Sequence, residues 1–211
     1  ARNWLLASLA ARGEYRDDVG YTRLSAELGP SLPTGSGVAV SQAEAADGSG
    51  HYMPDTNEVE FAGKTFVDMT GVTNAAYSHA TGVGRFLYGN STSMAPGITN
   101  IDNYDASDWI WAGFLHTGST NNPEPAVETS LVENHSWIGS DIPGATDVVR
   151  RLDYAIERDG FTAVAGVANS GALPQLLAHS YNAISVGLSD GTHSYGMTVF
   201  DAPGRTKPDM V

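Results

Sequence analysis

Three polar side chains of this 211-residue chain stand where predicted secondary-structure elements begin or end. Glu44 closes an apolar stretch, His79 opens a segment with helical spacing, and Asn169 follows a second apolar stretch. A carboxylate that orients an imidazole, together with an amide that donates to a developing oxyanion, supplies two supports that acyl transfer requires. Each residue also has a purely structural interpretation: an ion-pair partner, a helix cap and a turn residue, respectively. The spacing alone leaves both interpretations open.

The segment that begins at Ser78 predicts a helix with one apolar face. Val83, Phe86 and Leu87 follow His79 by four, seven and eight positions, which places them on one stripe. Ser78 is the predicted N-cap. A histidine in the first turn meets the positive end of the helix dipole, which favours the neutral imidazole that a general base must be.

Apolar stretches that alternate with helical patterns predict an α/β domain with a doubly wound, mostly parallel sheet. Residues 145–159 form the clearest helical pattern, with Gly160 as its C-cap. A further short helix is predicted over residues 4–11, and residues 14–36 are predicted to be irregular. The predicted strands lie at residues 38–44, 98–104, 131–137, 161–167, 183–187 and 197–200.

Composition limits the classes of partner. The content of 41% hydrophobic and 17% charged residues is typical of a globular domain. A formal net charge of −13 argues against binding to nucleic acid and to anionic membrane surfaces, because both would repel the chain. No apolar run approaches the roughly 18 residues that a transmembrane helix needs. The absence of cysteine excludes disulfides and thiolate zinc sites.

Three other kinds of site are disfavoured by the motifs. Gly82-Val83-Gly84 has leucine at position 87, so the third glycine of a dinucleotide-binding fingerprint is missing. No two of the six histidines have the His-x-x-x-His spacing that would present both to zinc from one helix face. The Gly-x-Ser-x-Gly elbow of α/β hydrolases does not occur either.

Several separated segments, taken in order, resemble the subtilisin-like serine proteases. Three of them are the glycine-rich lead-in and strand over residues 35–44, the motif Ser78-His79-Ala80-Thr81-Gly82-Val83-Gly84 and the turn Met94-Ala95-Pro96-Gly97. The resemblance continues through residues 132–139, 154–160, 162–171 and 205–211. It implies the subtilisin fold over residues 35–211, preceded by a lead-in over residues 1–34. It also implies hydrolysis of peptide bonds through an acyl-enzyme.

The resemblance assigns roles to individual residues. It implies that His79 is the general base, that Glu44 orients it and that Asn169 stabilises the oxyanion. It further implies that an extended peptide pairs with the backbone of two short segments that line the substrate cleft. These segments are Ser136-Trp137-Ile138-Gly139 and Ala165-Gly166-Val167.

The chain also departs from the family pattern. Glu44 stands where the family usually has aspartate, and an alignment two residues earlier places Gln42 there and leaves no acid. Ile138 and Ala168 replace glycines, and Ile138 is expected to narrow the entry to the specificity pocket. The nucleophilic serine of the family would follow residue 211, so we expect the chain to be truncated before it and to be inactive alone.

The remaining expectations follow from the same resemblance. No cofactor is required, although the turn Met53-Pro54-Asp55 resembles a calcium site of the family. A peptide or protein is the expected substrate, and secretion the expected localisation. The alternative function is a non-catalytic, protease-like domain that binds peptides or protein partners, which the departure at Glu44 and the missing serine both favour. The sequence of the parent protein after residue 211 would distinguish the two.

Overall fold

A six-stranded parallel sheet forms the centre of the computed structural model, which describes residues 14–71, 75–139, 144–170, 176–198, 200 and 205–211. The strand order is β2-β3-β1-β4-β5-β6, and every neighbouring pair is parallel. The strands are β1 (Ala39–Glu44), β2 (Thr65–Asp68), β3 (Asn100–Asp105), β4 (Val132–His135), β5 (Thr162–Gly166) and β6 (Ile184–Val186). Parallel neighbours require crossover connections, as the sequence pattern predicts.

Apolar cores lie on both faces of the sheet, so the predicted doubly wound α/β architecture is confirmed. On β1, Val40 belongs to one core and Ala43 to the other, because residues of opposite parity point to opposite faces. The first core also contains Tyr88 of α3 (Ser78–Tyr88). The second contains Val148 and its neighbours on α5 (Ala145–Asp159).

The helices begin and end close to the predicted positions. Helix α5 covers the predicted range, and Gly160 ends it in the left-handed conformation at φ 74°. Helix α3 also forms, but its N-cap is Tyr77 and no side chain caps it, so the prediction of Ser78 as the cap is wrong. Ser78 is instead the first helical residue, because the extended backbone ends one position earlier. Within the described ranges, no helix combines the length and the apolar character needed to span a membrane.

The N-terminal part of the described chain is more regular than predicted. Two short helices, α1 (Glu14–Asp18) and α2 (Tyr21–Leu28), occupy much of the range predicted to be irregular. Tyr21, Leu24 and Leu28 have helical spacing, so the sequence does contain a helical pattern here, although no residue of α2 is buried. The helix predicted over residues 4–11 lies outside the described residues.

Four further short elements lie outside the pattern described so far. Strand β2 was not predicted: it is a four-residue edge strand that pairs with β3. Strands β7 (Gly196–Met197) and β8 (Thr206–Lys207) pair antiparallel outside the main sheet, so the predicted strand at 197–200 does not extend the parallel sheet. The three-residue helix α4 (Ala106–Asp108) directly follows β3.

Candidate active site

The carboxylate of Glu44 and the imidazole of His79 are in direct contact. Glu44 Oε2 lies 2.7 Å from His79 Nδ1. The Glu44 side chain is only 1% exposed, whereas that of His79 is 49% exposed. A buried carboxylate therefore holds one nitrogen of a ring whose other side reaches solvent. The second ring nitrogen, Nε2, is left available for another group.

The alternation of β1 explains why Glu44 reaches helix α3. Val40, Gln42 and Glu44 share one face of the strand, and that face packs against α3. Both candidates for the acid position therefore point toward the helix that carries His79. Glu44 makes the contact with His79, while the Gln42 amide donates to Glu44 Oε1 at 2.9 Å.

The first turn of α3 is fixed by polar contacts to the preceding loop. The backbone N–H of Tyr77 donates to the carbonyl of Met53 at 2.7 Å. The Thr81 hydroxyl donates to the carbonyl of Tyr77 at 2.9 Å and accepts from the backbone N–H of Asp55 at 2.8 Å. These contacts hold the start of the helix, and with it His79, relative to the end of β1.

The pKa of His79 is raised, so the expectation that the helix dipole favours the neutral imidazole is wrong: the contact with Glu44 outweighs it. The hydrogen bond from Glu44 raises the pKa of His79 above the ordinary value of 6.5, and partial burial opposes this rise. The nearby Tyr88 has its pKa raised far above the ordinary value, mainly by burial and also by the charge of Glu44. Tyr88 therefore keeps its phenolic proton at every pH at which the imidazole titrates.

A cleft of about 610 Å³ opens beside His79. His79 and Asn169 both line it, together with residues of the loops that follow β4 and β5. Asn169 is exposed in a bend directly after β5. The structure therefore brings all three predicted side chains to one region: Glu44 contacts His79, and His79 and Asn169 line the same cleft.

Two backbone hydrogen bonds anchor the loop just before Asn169. The N–H of Val167 donates to the carbonyl of Val186 at 3.0 Å, which continues the pairing of β5 with β6. The carbonyl of Ala168 accepts from the N–H of Ser194 at 2.7 Å. These two contacts fix the backbone immediately before Asn169.

Most of the predicted peptide-binding residues line the cleft. Ser136, Trp137, Ile138, Gly166 and Val167 are all among its lining residues. Gly139 lines an adjacent cavity of about 350 Å³ that also contacts Trp137 and Ile138.

Ala165 is placed differently. It is 1% exposed and lies inside the sheet, with His135 on β4 and Ser185 on β6 as its register partners. Its position in a central strand keeps its backbone within the ladders of the sheet. We therefore remove Ala165 from the predicted peptide-binding residues.

A buried polar chain supports Trp137 from beneath the cleft. Trp137 Nε1 donates to His135 Nδ1 at 3.2 Å, and His135 Nε2 lies 3.3 Å from Glu133 Oε2. Glu133 Oε1 accepts from Trp109 Nε1 at 2.7 Å. His135 Nε2 and Glu133 Oε2 are both buried and face each other, but they do not form a hydrogen bond. Neither Glu133 nor Trp109 was predicted from the sequence to take part in these contacts.

Glu128 is a third buried acid, after Glu44 and Glu133, and its partner Ser41 lies on the face of β1 opposite to Glu44. Its Oε1 accepts from the backbone N–H of Ser130 at 2.6 Å, and its Oε2 accepts from the Ser41 hydroxyl at 3.2 Å. Burial, together with the charge of Glu133, raises the pKa of Glu128 to about 7. The sequence offered no signal for this acid, since it lies in a stretch without apolar alternation.

The turn at Met53-Pro54-Asp55 does not gather further carboxylates. One oxygen of Asp55 accepts from both the backbone N–H and the side-chain amide of Asn57, at 3.1 and 3.3 Å. Across the parts of the chain that the structure describes, no group of three or more His, Asp or Glu side chains could hold a metal ion. Calcium at this turn stays a prediction.

Comparison with known proteins gives matches only among solved structures. No protein-family model matches the chain, and no curated protein matches it. The chain is similar to the structures named Sphericase and S41 Psychrophilic Protease, with 17% and 19% identity and a TM-score of 0.48 for each. Each alignment covers 76% of this chain and 60% of the other, so the chain spans 60% of the length of these structures. The fold assignment therefore depends on the sheet topology, and any function depends on the geometry of the site.

Proposed function

We propose that this chain carries the acid–base half of a serine peptidase site, similar to that of the subtilisin-like proteases. The contact between Glu44 Oε2 and His79 Nδ1 is the observation that carries the proposal. The carboxylate is buried and the imidazole borders an open cleft, which is the arrangement that a general base and its orienting group need.

The proposed mechanism uses the two nitrogens of His79 separately. Glu44 accepts a hydrogen bond from the Nδ1–H group, which keeps the proton on Nδ1 and leaves the Nε2 lone pair free to accept a proton. Nε2 takes the proton of a serine hydroxyl as the serine oxygen attacks the scissile carbonyl carbon. The imidazolium then gives this proton to the leaving amine, and an acyl-enzyme remains. Water hydrolyses the ester through the same sequence of proton transfers.

The serine in this proposal belongs to the segment that the family resemblance places after residue 211. Ser136 lines the cleft, but its hydroxyl accepts a hydrogen bond from Asn134 Nδ2 at 3.0 Å, and we assign it to substrate binding. Asn169 would donate its amide to the oxyanion. A domain that only binds peptides would not need a buried carboxylate that holds an imidazole, as Glu44 holds His79.

An extended peptide or protein segment is the proposed substrate. It would pair with the backbone of residues 136–139 on one side and with Gly166 and Val167 on the other, as an added strand. The protein surface is acidic overall, with a formal net charge of −13. Secretion remains a proposal that follows from the family resemblance alone.

The test uses the full-length gene product and a mixture of unstructured peptides analysed by mass spectrometry. We expect cleavage at internal peptide bonds, and we expect a fluorophosphonate probe, which labels activated serines, to block it. A product that binds the peptides without cleaving them, and that does not react with the probe, would support the non-catalytic alternative instead.

A further inference from the structure

The side-chain amide of Gln42 lies at the centre of a closed set of hydrogen bonds next to Glu44. Gln42 Nε2 donates to Glu44 Oε1 at 2.9 Å and to the carbonyl of Ala80 at 3.0 Å. Gln42 Oε1 accepts from the Tyr88 hydroxyl at 2.5 Å. Gln42 and Tyr88 are fully buried. Every polar atom of the amide is therefore used, and water does not compete for any of them.

The chemistry of the neighbours fixes which way the amide points. A carboxylate and a backbone carbonyl can only accept, so the atom between Glu44 and Ala80 must be the NH₂ group. The amide oxygen then faces Tyr88, whose hydroxyl must donate to it. Tyr88 has its proton available, since burial raises its pKa far above the ordinary value. The reverse orientation would place the amide oxygen against two other acceptors.

Gly84 makes room for the Tyr88 hydroxyl. Gly84 lies one turn before Tyr88 on α3, and a Cβ atom at this position would overlap the phenol oxygen. Any larger residue at 84 would push the phenol away from Gln42. Gly84 therefore permits the hydrogen bond from Tyr88 to Gln42, and Gln42 in turn donates to the carboxylate of Glu44.

From this geometry we infer that Gln42 is a positioning residue for the reaction proposed above: it holds Glu44 Oε1 so that Oε2 faces His79 Nδ1. The catalytic role of Gln42 rests on the proposed function, whereas its positioning of Glu44 rests on the hydrogen bonds described above. Without the amide, Glu44 Oε1 would be a buried carboxylate oxygen with no partner among the contacts described, which is costly. The carboxylate would then rotate or take up water, and the contact with His79 would weaken.

The experiment measures the titration of the His79 imidazole by ¹H–¹⁵N NMR in the full-length gene product. Gln42→Met keeps the volume of the side chain and removes its hydrogen bonds, and Tyr88→Phe removes only the hydroxyl that orients the amide. Ser41→Ala is the matched control, because Ser41 is equally buried on the same strand but bonds to Glu128 and Ser130.

We expect the pKa of His79 to fall toward 6.5 in Gln42→Met, to move less in the same direction in Tyr88→Phe, and to stay unchanged in Ser41→Ala. With a peptide substrate, kcat should fall about tenfold in Gln42→Met with little change in KM, the scale known for outer hydrogen-bond partners at metal sites. Loss of stability alone would not move the imidazole titration.

An unchanged His79 titration in both Gln42→Met and Tyr88→Phe would overturn the inference. If Gln42→Met does not fold, Tyr88→Phe decides, because it deletes a single oxygen atom. The NMR result does not depend on peptide cleavage, so this inference and the proposed function can fail separately. A protein that cleaves no peptide can still show the shift, and an active protease can fail to show it.

Discussion

Glu44 Oε2 lies 2.7 Å from His79 Nδ1, although the carboxylate is buried and the imidazole is about half exposed. The carboxylate ends a central strand and is withdrawn from solvent, while the imidazole begins a helix at the edge of the cleft. A short contact of this kind fixes one ring nitrogen and exposes the other side of the ring to reactants. The predictions below follow from it and from the groups that surround it.

Replacing Glu44 with glutamine should lower the pKa of His79. The wild-type carboxylate raises that pKa above 6.5 through its hydrogen bond, and the neutral amide cannot stabilise the imidazolium to the same degree. NMR titration of His79 measures the change directly. Asp47→Asn is the control, since it removes one negative charge from a separate pair with His51 and should leave His79 unaffected.

The same pair predicts how stability depends on pH. Because the folded-state pKa of His79 is raised, its contribution to stability is fully present below pH 6.5 and is lost as the pH rises through the folded value. Wild type should therefore lose its advantage over Glu44→Gln as the pH increases over this range. Urea denaturation at several pH values would measure it, and an advantage that grows with pH would contradict the assignment.

Glu128 should destabilise the protein at alkaline pH. Its pKa is raised to about 7, so the folded state holds the proton more tightly than the unfolded state, whose glutamate titrates at 4.5. A cost of about 3 kcal/mol accumulates between these two values as the pH rises. Glu128→Gln should consequently be more stable than wild type at pH 8 and similar to it at pH 4.

Denaturant unfolding at the two pH values tests this prediction, with Glu157→Gln as the control. Glu157 is exposed on α5, so its replacement should have little effect at either pH. Equal stability of Glu128→Gln and wild type at pH 8 would show that the buried carboxyl carries no such cost.

Replacing Asn169 with alanine should lower kcat much more than it changes KM. The amide is proposed to donate to an oxyanion that exists only after attack on the carbonyl, so its loss affects the transition state. The expected loss is about 10²–10³-fold, a scale measured for an oxyanion-hole asparagine in subtilisin and adopted from there. The measurement is steady-state kinetics on a peptide substrate.

Asn134→Ala is the matched control for this measurement, because Asn134 lines the same cleft and bonds to Ser136. It should change kcat far less than Asn169→Ala does. If the larger loss of kcat occurred in Asn134→Ala, the oxyanion donor would have been assigned to the wrong asparagine.

The sequence predicted the elements that bury an apolar face and failed for those that do not. Helix α5 was predicted to the residue because its buried side chains share one stripe and Gly160 ends it. Helix α2 buries no residue, although Tyr21, Leu24 and Leu28 have helical spacing, and β2 is a short edge strand, so neither was identified. Sequence patterns identify most reliably the elements that bury apolar side chains, and these two elements bury little apolar surface.

The candidate site was predicted as three residue types, but not as a connected network. Both Gln42 and Glu44 lie on the same face of β1, so alternation could not decide which of them meets His79. That choice depends on side-chain conformation and on Tyr88, which is 46 positions from Gln42 in sequence.

The most direct measurement of the central claim is kcat/KM of the full-length gene product on a peptide substrate, with His79→Ala compared with His51→Ala. Both variants remove an imidazole bound to a carboxylate, at 2.7 and 3.0 Å respectively, but only His79 lines the cleft. We predict a loss of at least about 10⁴-fold in His79→Ala, with the fold retained, and near wild-type activity in His51→Ala. Peptide cleavage that persists in a folded His79→Ala variant would contradict the account.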